Sequence, residues 1–360
     1  MRIGLIAPPW LTVPPLGYGG TEAVVDNLAR GLHDAGHEVC LYTVGTSTCP
    51  VPRRAHYPRP VEPMSEGSYE AAHVLAAYEA LRGVDLIHDH TTLGPLIAKQ
   101  RGLTAVPVLT TLHLPLRPEI RSILAAAEVD TAAISHAQAR AAAPLPITGV
   151  VHHGIDLDTY RYGPGGGGYL LFMGRMSPDK GVHRAIEVAR RAGRRLVIVS
   201  RIQEAGERAY YREVVQPLLG PDDEPPEAGT IAERIELLRH ADALLNPIDW
   251  PEPFGLVMAE ALACGTPVLA FPNGAAPEIV DDGRTGYLCA DEDELVAAVA
   301  RVADLDRRSC RRAAELRFSA GRMTADYLRL YSRLLHPARL GPTARVHPGI
   351  AEVASRQLTG

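Results

Sequence analysis

Gly163-Pro164-Gly165-Gly166-Gly167-Gly168-Tyr169-Leu170-Leu171-Phe172-Met173-Gly174 decides the fold of this chain. A glycine-rich run without periodicity reads as a flexible linker, and a strand-length apolar run follows it at once. What is built before residue 163 is therefore built again after it. Upstream, apolar runs at 3–7, 38–43, 85–88, 106–111, 131–135 and 149–151 alternate with helix-period segments at 21–35, 66–82, 93–101, 117–127 and 136–142. Downstream, runs at 169–173, 195–199, 243–245, 267–270 and 286–289 alternate with segments at 180–192, 204–219, 231–240, 255–264 and 292–302. A βαβα rhythm on both sides of the break predicts two α/β domains, each a Rossmann-like, doubly wound parallel sheet. Two such domains make a cleft, and open α/β sheets bind ligands outside their strand C-terminal ends. The expected division is a first domain over 1–160, a linker over 161–168 and a second domain over 169–318. A closing helix over 319–335 packs back on the first domain, and the tail over 336–360 has no assigned role.

Composition narrows the function classes. The chain has 360 residues, enough for two ordinary cores, and a formal net charge of −5 without any basic tract, which argues against a nucleic-acid partner. No apolar run approaches the ~20 residues that span a bilayer. The start, Met1-Arg2-Ile3-Gly4-Leu5-Ile6-Ala7, is a strand-length run and not a signal-peptide core. Cys40, Cys49, Cys264, Cys289 and Cys310 show no CxxC pairing, so a reduced, cytoplasmic setting fits. Basic residues are nearly all arginine; lysine stands only at Lys99 and Lys180.

Chemistry concentrates in Asp249-Trp250-Pro251-Glu252-Pro253-Phe254-Gly255-Leu256-Val257-Met258-Ala259-Glu260-Ala261-Leu262-Ala263-Cys264-Gly265-Thr266-Pro267. One carboxylate, Glu252, sits in a proline-stiffened turn; a second, Glu260, sits inside an apolar helix that opens near Phe254-Gly255 and closes at Gly265. A carboxylate there is costly unless hydrogen bonds reach it. The unpaired N–H groups at the helix start form an anion or hydroxyl site. The plain alternatives are that Glu252 complements the helix dipole and that Glu260 pairs with an internal arginine.

Three further constellations stand out. Gly17-Tyr18-Gly19-Gly20-Thr21-Glu22 is a glycine cluster feeding a helix, suited to close approach of a phosphate or simply a loop turning into a helix. It lies about ten residues past its strand, too far for a dinucleotide fingerprint. Gly174-Arg175-Met176-Ser177-Pro178-Asp179-Lys180-Gly181 puts an arginine and a lysine at a strand end, with Lys180 at a helix start. A cation there opposes the dipole unless an anion lies between, so the pair suits a pyrophosphate; an exposed, solvated pair is the alternative. Histidines mark strand ends: His88 and His90 on one strand face, His113 after the next strand, and His152-His153 before the linker. His88 and His90 fit structural capping and a cleft role equally. A metal site at these histidines is conceivable, yet no zinc-type ligand spacing is present.

Together these residues resemble the family 4 glycosyltransferases, retaining enzymes of the GT-B fold. The resemblance is carried by Gly19-Gly20-Thr21-Glu22, His113, Gly174-Arg175…Lys180-Gly181, the E-x7-E pair Glu252…Glu260 with its Gly265-Thr266-Pro267-Val268 ending, and His153-Gly154-Ile155-Asp156 where the family has Asn-Gly-Ile-Asp. It runs from about residue 1 to 335 in compatible order. It implies transfer of a sugar from a nucleotide-diphosphate donor, UDP favoured, to a hydroxyl of a small-molecule, lipid or glycan acceptor, a secondary metabolite included. No metal and no cofactor beyond the donor is implied. The implied roles are Arg175 and Lys180 on the diphosphate, Glu260 on the ribose, and Glu252 with the N–H groups of Phe254, Gly255 and Leu256 on sugar hydroxyls and phosphate oxygens. Gly19, Gly20 and Gly174 approach the phosphates, and His113 sits by the sugar. Departing phosphate would take the acceptor proton in a front-face attack.

One segment departs from the family. Between Leu219 and Thr230 a hydrophobic strand and a base-side loop are usual; here stands acidic, proline-rich Gly220-Pro221-Asp222-Asp223-Glu224-Pro225-Pro226-Glu227-Ala228-Gly229, so the base is not read from it. The rival readings are a GT-B sugar-nucleotide epimerase and a non-catalytic sugar-nucleotide-binding protein. A glycosidase is a poor fit, because a cationic phosphate site has no purpose in simple hydrolysis.

Overall fold

The structure is a computed structural model that describes residues 1–17, 19–102, 105–220 and 226–336, with the backbone alone for 98–101. Tyr18, the Lys99 side chain, the centre of the acidic segment and the tail beyond residue 336 lie outside the described residues. Seven parallel strands form the first sheet: β1 (Arg2–Ile6), β2 (Glu38–Thr43), β3 (Arg53–Ala55), β4 (Leu86–Asp89), β5 (Val108–Thr111), β6 (Asp130–Ala133) and β7 (Gly149–Val150), in the order β3-β2-β1-β4-β5-β6-β7. Its helices are α1 (Gly20–Asp34), α2 (Gly67–Ala80), α3 (Gly94–Arg101), α4 (Pro118–Ala127) and α5 (His136–Ala141).

The second sheet has five parallel strands, β8 (Tyr169–Met173), β9 (Arg195–Val199), β10 (Ala243–Asn246), β11 (Val268–Ala270) and β12 (Gly286–Leu288), ordered β12-β11-β10-β8-β9. It is wrapped by α6 (Val182–Arg191), α7 (Ala205–Tyr210), α8 (Ile231–His240), α9 (Leu256–Ala263), α10 (Ala276–Ile279), α11 (Glu292–Arg301) and α12 (Arg307–Arg317). A last helix, α13 (Ala320–Leu335), returns to the first sheet, where Met323, Tyr327, Leu330 and Tyr331 pack with Ile3, Leu5, Val25 and Leu28. Both doubly wound parallel sheets expected from the two rhythms are present.

The structure differs from the sequence reading at four places. The segment 163–168 is docked, not loose. Its amides cap helix ends: Gly163 N–H donates to Cys264 O at 3.0 Å, Gly165 N–H to Arg239 O at 3.0 Å, and Gly167 N–H to His240 O at 2.9 Å. A Cβ on Gly163 would come within 2.3 Å of Arg239 O, so glycine here serves close approach and C-capping rather than freedom. The chain instead crosses between the sheets at Val151–Asp156 and again at Phe318–Ala320, two passes held side by side by Ile155 N–H to Phe318 O (2.7 Å) and Ala320 N–H to Ile155 O (2.9 Å). Second, the helix read over 180–192 is a short 3₁₀ turn, Pro178–Lys180, followed by α6, because Gly181 takes a left-handed φ of 75° between them. Third, the helix read over 204–219 keeps its α form only in α7; Pro217 lacks the amide a continuing helix needs, and π and 3₁₀ turns follow. Fourth, β3, α10 and α12 were not visible as elements: β3 is a three-residue exposed edge, and α12 has an arginine-rich face that hides its apolar stripe.

Candidate active site

β1 and β8 hold equivalent places. Each lies where strand order reverses, β1 between β2 and β4, β8 between β9 and β10. A crevice opens outside the carboxyl ends at such a point. The glycine loop leaves β1, and Gly174, Arg175 and Lys180 leave β8.

On the second-domain face, α9 begins sharply. Its N-cap Gly255 has φ of 87° and its first turn carries no acidic residue, so the positive end of the helix is not compensated from within. Any Cβ on Gly255 would sit 2.5 Å from Met258 Cε. Phe254 is buried just before it, and Leu256 begins the helix at the cleft. Glu252 is held by its backbone: its N–H donates to Trp250 O (2.8 Å) and its carbonyl accepts from Ala275 N–H (3.0 Å). Gly274, with φ of 57°, lets the chain pass, since a Cβ there would lie 2.3 Å from Glu252 O.

Lys180 is buried, its ammonium paired with the Glu252 carboxylate and 5.1 Å from the centre of the Trp250 ring. The two residues expected on diphosphate and sugar thus hold each other. Arg175 is more open, with Asp179 3.6 Å away. Trp250 Nε1 and Ser177 Oγ are buried without a hydrogen-bond partner among the described residues. Glu260 accepts from the Tyr160 hydroxyl at 3.0 Å; burial raises its affinity for a proton, and Tyr160 and the nearby Arg234 oppose that. No salt bridge joins Glu260 to an arginine among the described residues, so its chief partner is this tyrosine. Arg311 fixes the tyrosine in turn, its Nη1 donating to Tyr160 O (2.7 Å) and Ala263 O (2.9 Å).

The first-domain face meets this surface closely. A Cβ on Gly20 would come within 3.0 Å of Leu256 Cδ1, and Arg234 Nη2 of α8 donates to Gly17 O at 3.1 Å. A Cβ on Gly19 would clash with Pro15 Cβ at 2.7 Å and lie 3.1 Å from Glu22 Oε2. Burial pushes the Glu22 carboxyl up to about 7. Behind the loop, histidines stack in the floor. His88, fully buried, pairs through Nδ1 with the Tyr331 hydroxyl (2.6 Å) and through Nε2 with Thr111 Oγ1 (2.7 Å), which assigns it a structural role. His90 Nδ1 meets His113 Nε2 at 2.8 Å; His113 stacks on His153 at 5.2 Å, and His153 meets Phe254 edge-on at 5.1 Å. Burial drives all four below the ordinary imidazole range, His113 to about 3, so the stack is neutral at pH 7. His113 thus acts as a hydrogen-bonding imidazole and not as a cation.

At the β7 end of the cleft a third contact closes the domains. Glu278 of α10 accepts from the N–H groups of His136 (2.8 Å) and Ala137 (2.6 Å) at the start of α5, and its Oε2 lies 2.8 Å from His152 Nε2. Burial alone would raise this carboxyl; His152 and the two amides outweigh it and hold it below the ordinary value. Among the described residues no group of three or more His, Cys, Asp or Glu side chains is placed to hold a metal.

Residues 18–159 match Glycosyltransferase Family 4, and residues 163–317 match Glycosyl transferases group 1. The chain belongs to the family 4 glycosyltransferases. It is 29% identical to D-inositol 3-phosphate glycosyltransferase 2 of Catenulispora acidiphila, over 89% of this chain and 91% of that protein. It is 34% identical to the glycogen synthase of Mycobacterium tuberculosis over 49% of this chain and 44% of that one. Among solved structures it is similar to AviGT4, a glycosyltransferase involved in avilamycin A biosynthesis, at 28% identity, 94% and 98% coverage and a TM-score of 0.71. Sucrose-phosphate synthase from Thermosynechococcus elongatus, 20% identical, shares the fold with a TM-score of 0.76 over 94% and 100% of the two chains. The glycosyltransferase thus has the GT-B arrangement of two facing Rossmann-like domains.

Several residues of this cleft were not singled out from the sequence. Tyr160 follows the His153-Gly154-Ile155-Asp156 element closely, a position that signals it in retrospect. Arg234 and Glu278 sit on ordinary amphipathic or short helices and carry no local signal. Among the described residues of the departing segment, a single bridge joins Val199 and Glu227, with Ser200 N–H donating to Glu227 O at 2.9 Å and Glu227 N–H to Ile198 O at 3.3 Å. Its residues 221–225 lie outside the described residues. No helix among the described residues is long and apolar enough to cross a membrane.

Proposed function

We propose that this glycosyltransferase takes a sugar from a nucleotide-diphosphate donor, UDP-linked by family preference, and transfers it to a hydroxyl with retention of the anomeric configuration. The observation that supports the reading is the close approach of the glycine loop to the start of α9: Gly20 lies against Leu256, and the neighbouring Gly255 lies against Glu252, the partner of Lys180. In this reading Arg175, Lys180 and the N–H groups of Phe254, Gly255 and Leu256 take the charge of the departing diphosphate, which supplies electrostatic stabilisation without a metal. Gly19, Gly20 and Gly174 let backbone approach the phosphates. Glu260 accepts from the ribose, Glu252 from sugar hydroxyls, and His113 hydrogen-bonds the sugar. The bond from the anomeric carbon to phosphate oxygen breaks as the acceptor oxygen bonds on the same face, and the acceptor proton passes to the leaving phosphate.

The acceptor is a small molecule, lipid or glycan; the similarity to AviGT4 favours a secondary metabolite, and the similarity to the inositol phosphate enzyme favours a polyol. The cytoplasm is the proposed setting, in keeping with five unpaired cysteines. A thermal-shift panel of UDP-, GDP-, ADP- and dTDP-sugars tests the donor, since a ligand bound only to the native state raises stability. Turnover followed by NMR of the product's anomeric proton tests retention. An inverted product, or no stabilisation by any nucleotide sugar, refutes the reading.

A further inference from the structure

Lys180 and Glu252 belong, in the reading just given, to different parts of one donor, the diphosphate and the sugar, yet in the structure each is the other's partner. Their side chains are only 11% and 16% exposed, so the pair is largely withdrawn from water. A buried ion pair separates at high cost unless both ions find replacements. The Glu252 backbone cannot move to find one, because Trp250 O, Ala275 N–H and the close-packed Gly274 hold it on both sides. Its side chain alone can change partner. Lys180 is confined as well, with the Trp250 ring 5.1 Å from its ammonium. Arg175 is different: it is 36% exposed and its nearest carboxylate, Asp179, is 3.6 Å away, so an arriving anion meets it without displacing a close partner.

We infer that Glu252 is a stand-in for the donor diphosphate, a carboxylate that occupies Lys180 until a nucleotide sugar arrives and takes its place. This rests on the donor site proposed above. A nucleotide sugar offers new partners to both ions: phosphate oxygens to Lys180, sugar hydroxyls to Glu252. A bare nucleoside diphosphate offers one to Lys180 only, and leaves Glu252 with no hydroxyls to accept from. Glu252 therefore discriminates substrate from product. It weakens the hold on nucleoside diphosphate, and its return to Lys180 after transfer helps to expel that product.

The sign of one substitution separates this from a plain binding role. UDP, GDP, ADP and dTDP, and their glucose conjugates, are titrated calorimetrically into the wild type, Glu252→Gln, Glu252→Ala, Lys180→Met and the Lys180→Met/Glu252→Gln double variant. Circular dichroism and melting curves verify the fold of each. The expected result is nucleoside diphosphate bound about tenfold tighter by both Glu252 variants, the worth of one charge-assisted hydrogen bond no longer competed for. The preference for nucleotide sugar over nucleoside diphosphate falls at the same time. The double variant binds like Lys180→Met alone, a non-additive cycle. If both Glu252 variants bind nucleoside diphosphate no tighter while Lys180→Met binds it weakly, the exchange is overturned and the donor site stands. If Lys180→Met binds it as the wild type does, the exchange falls together with the donor site.

Discussion

The two faces of the cleft solve opposite electrostatic problems. The second-domain face is charged: Arg175 lies near Asp179, Lys180 pairs with Glu252, and Glu260 accepts from Tyr160. The first-domain face is titratable but neutral: His88, His90, His113 and His153 are packed so tightly that burial suppresses their charge. The lesson is a division of labour. On the donor site proposed above, charge is kept where an anionic ligand would use it, and the opposite wall would supply shape, glycine backbone and neutral hydrogen bonds without repelling or competing for that anion.

Acid is the harshest test of this contrast. An imidazole whose native affinity for a proton is depressed stabilises the fold above its unfolded value of about 6.5 and loses that contribution as pH falls below it. Each buried histidine of the first-domain floor can then take away up to about 1.4 kcal/mol for every pH unit below 6.5. Denaturant midpoints at pH 7.5 and 5.5 are expected to drop by far more for the wild type than for His88→Gln/His90→Gln; equal drops would show that the stack does not titrate against folding. On the charged face, Lys180→Ala is expected to cut turnover by roughly 10²–10³, as loss of one transition-state donor does elsewhere, with the fold intact. Unchanged kcat/KM would remove the charged face from the chemistry.

A smaller effect probes the boundary between the faces. Glu22 titrates upward, to about 7, because burial penalises its ionised form. A raised carboxyl stabilises the fold below about 4.5 and loses that contribution as pH rises through about 7. Glu22→Gln should therefore gain up to about 3 kcal/mol over the wild type at pH 8 and almost nothing at pH 4.5, read from urea melts at both values. An equal gain at both would place the ionisation elsewhere. The smallest effect expected is that of Tyr160→Phe, which removes one hydrogen bond to Glu260 and keeps the ring. It should weaken nucleotide affinity about fivefold, or about 1 kcal/mol, without changing kcat, and a calorimetric Kd equal to wild type would leave Glu260 positioned by other means.

Much of this was legible in the chain. Strands 38–43, 169–173 and 195–199 were read with the observed bounds, since buried parallel strands are short apolar runs between turn residues. The glycine and proline signals around α9 gave its ends to within a residue. Less legible was what depends on distant neighbours. Gly163–Gly168 reads as loose by composition, yet its amides cap α8 and α9, which lie more than sixty residues on. Lys180 reads as a helix start and is a 3₁₀ turn because of Gly181.

By itself the sequence determined the two doubly wound sheets and the family, because periodicity, turn chemistry and spacing are local and survive without a fold. Only the tertiary structure decided who partners whom: Lys180 with Glu252, Tyr160 with Glu260, His90 with His113, Glu278 with the start of α5. Those pairings join residues far apart in the chain. Burial and distance, which set both their charge states and their strength, exist only once the two sheets face each other.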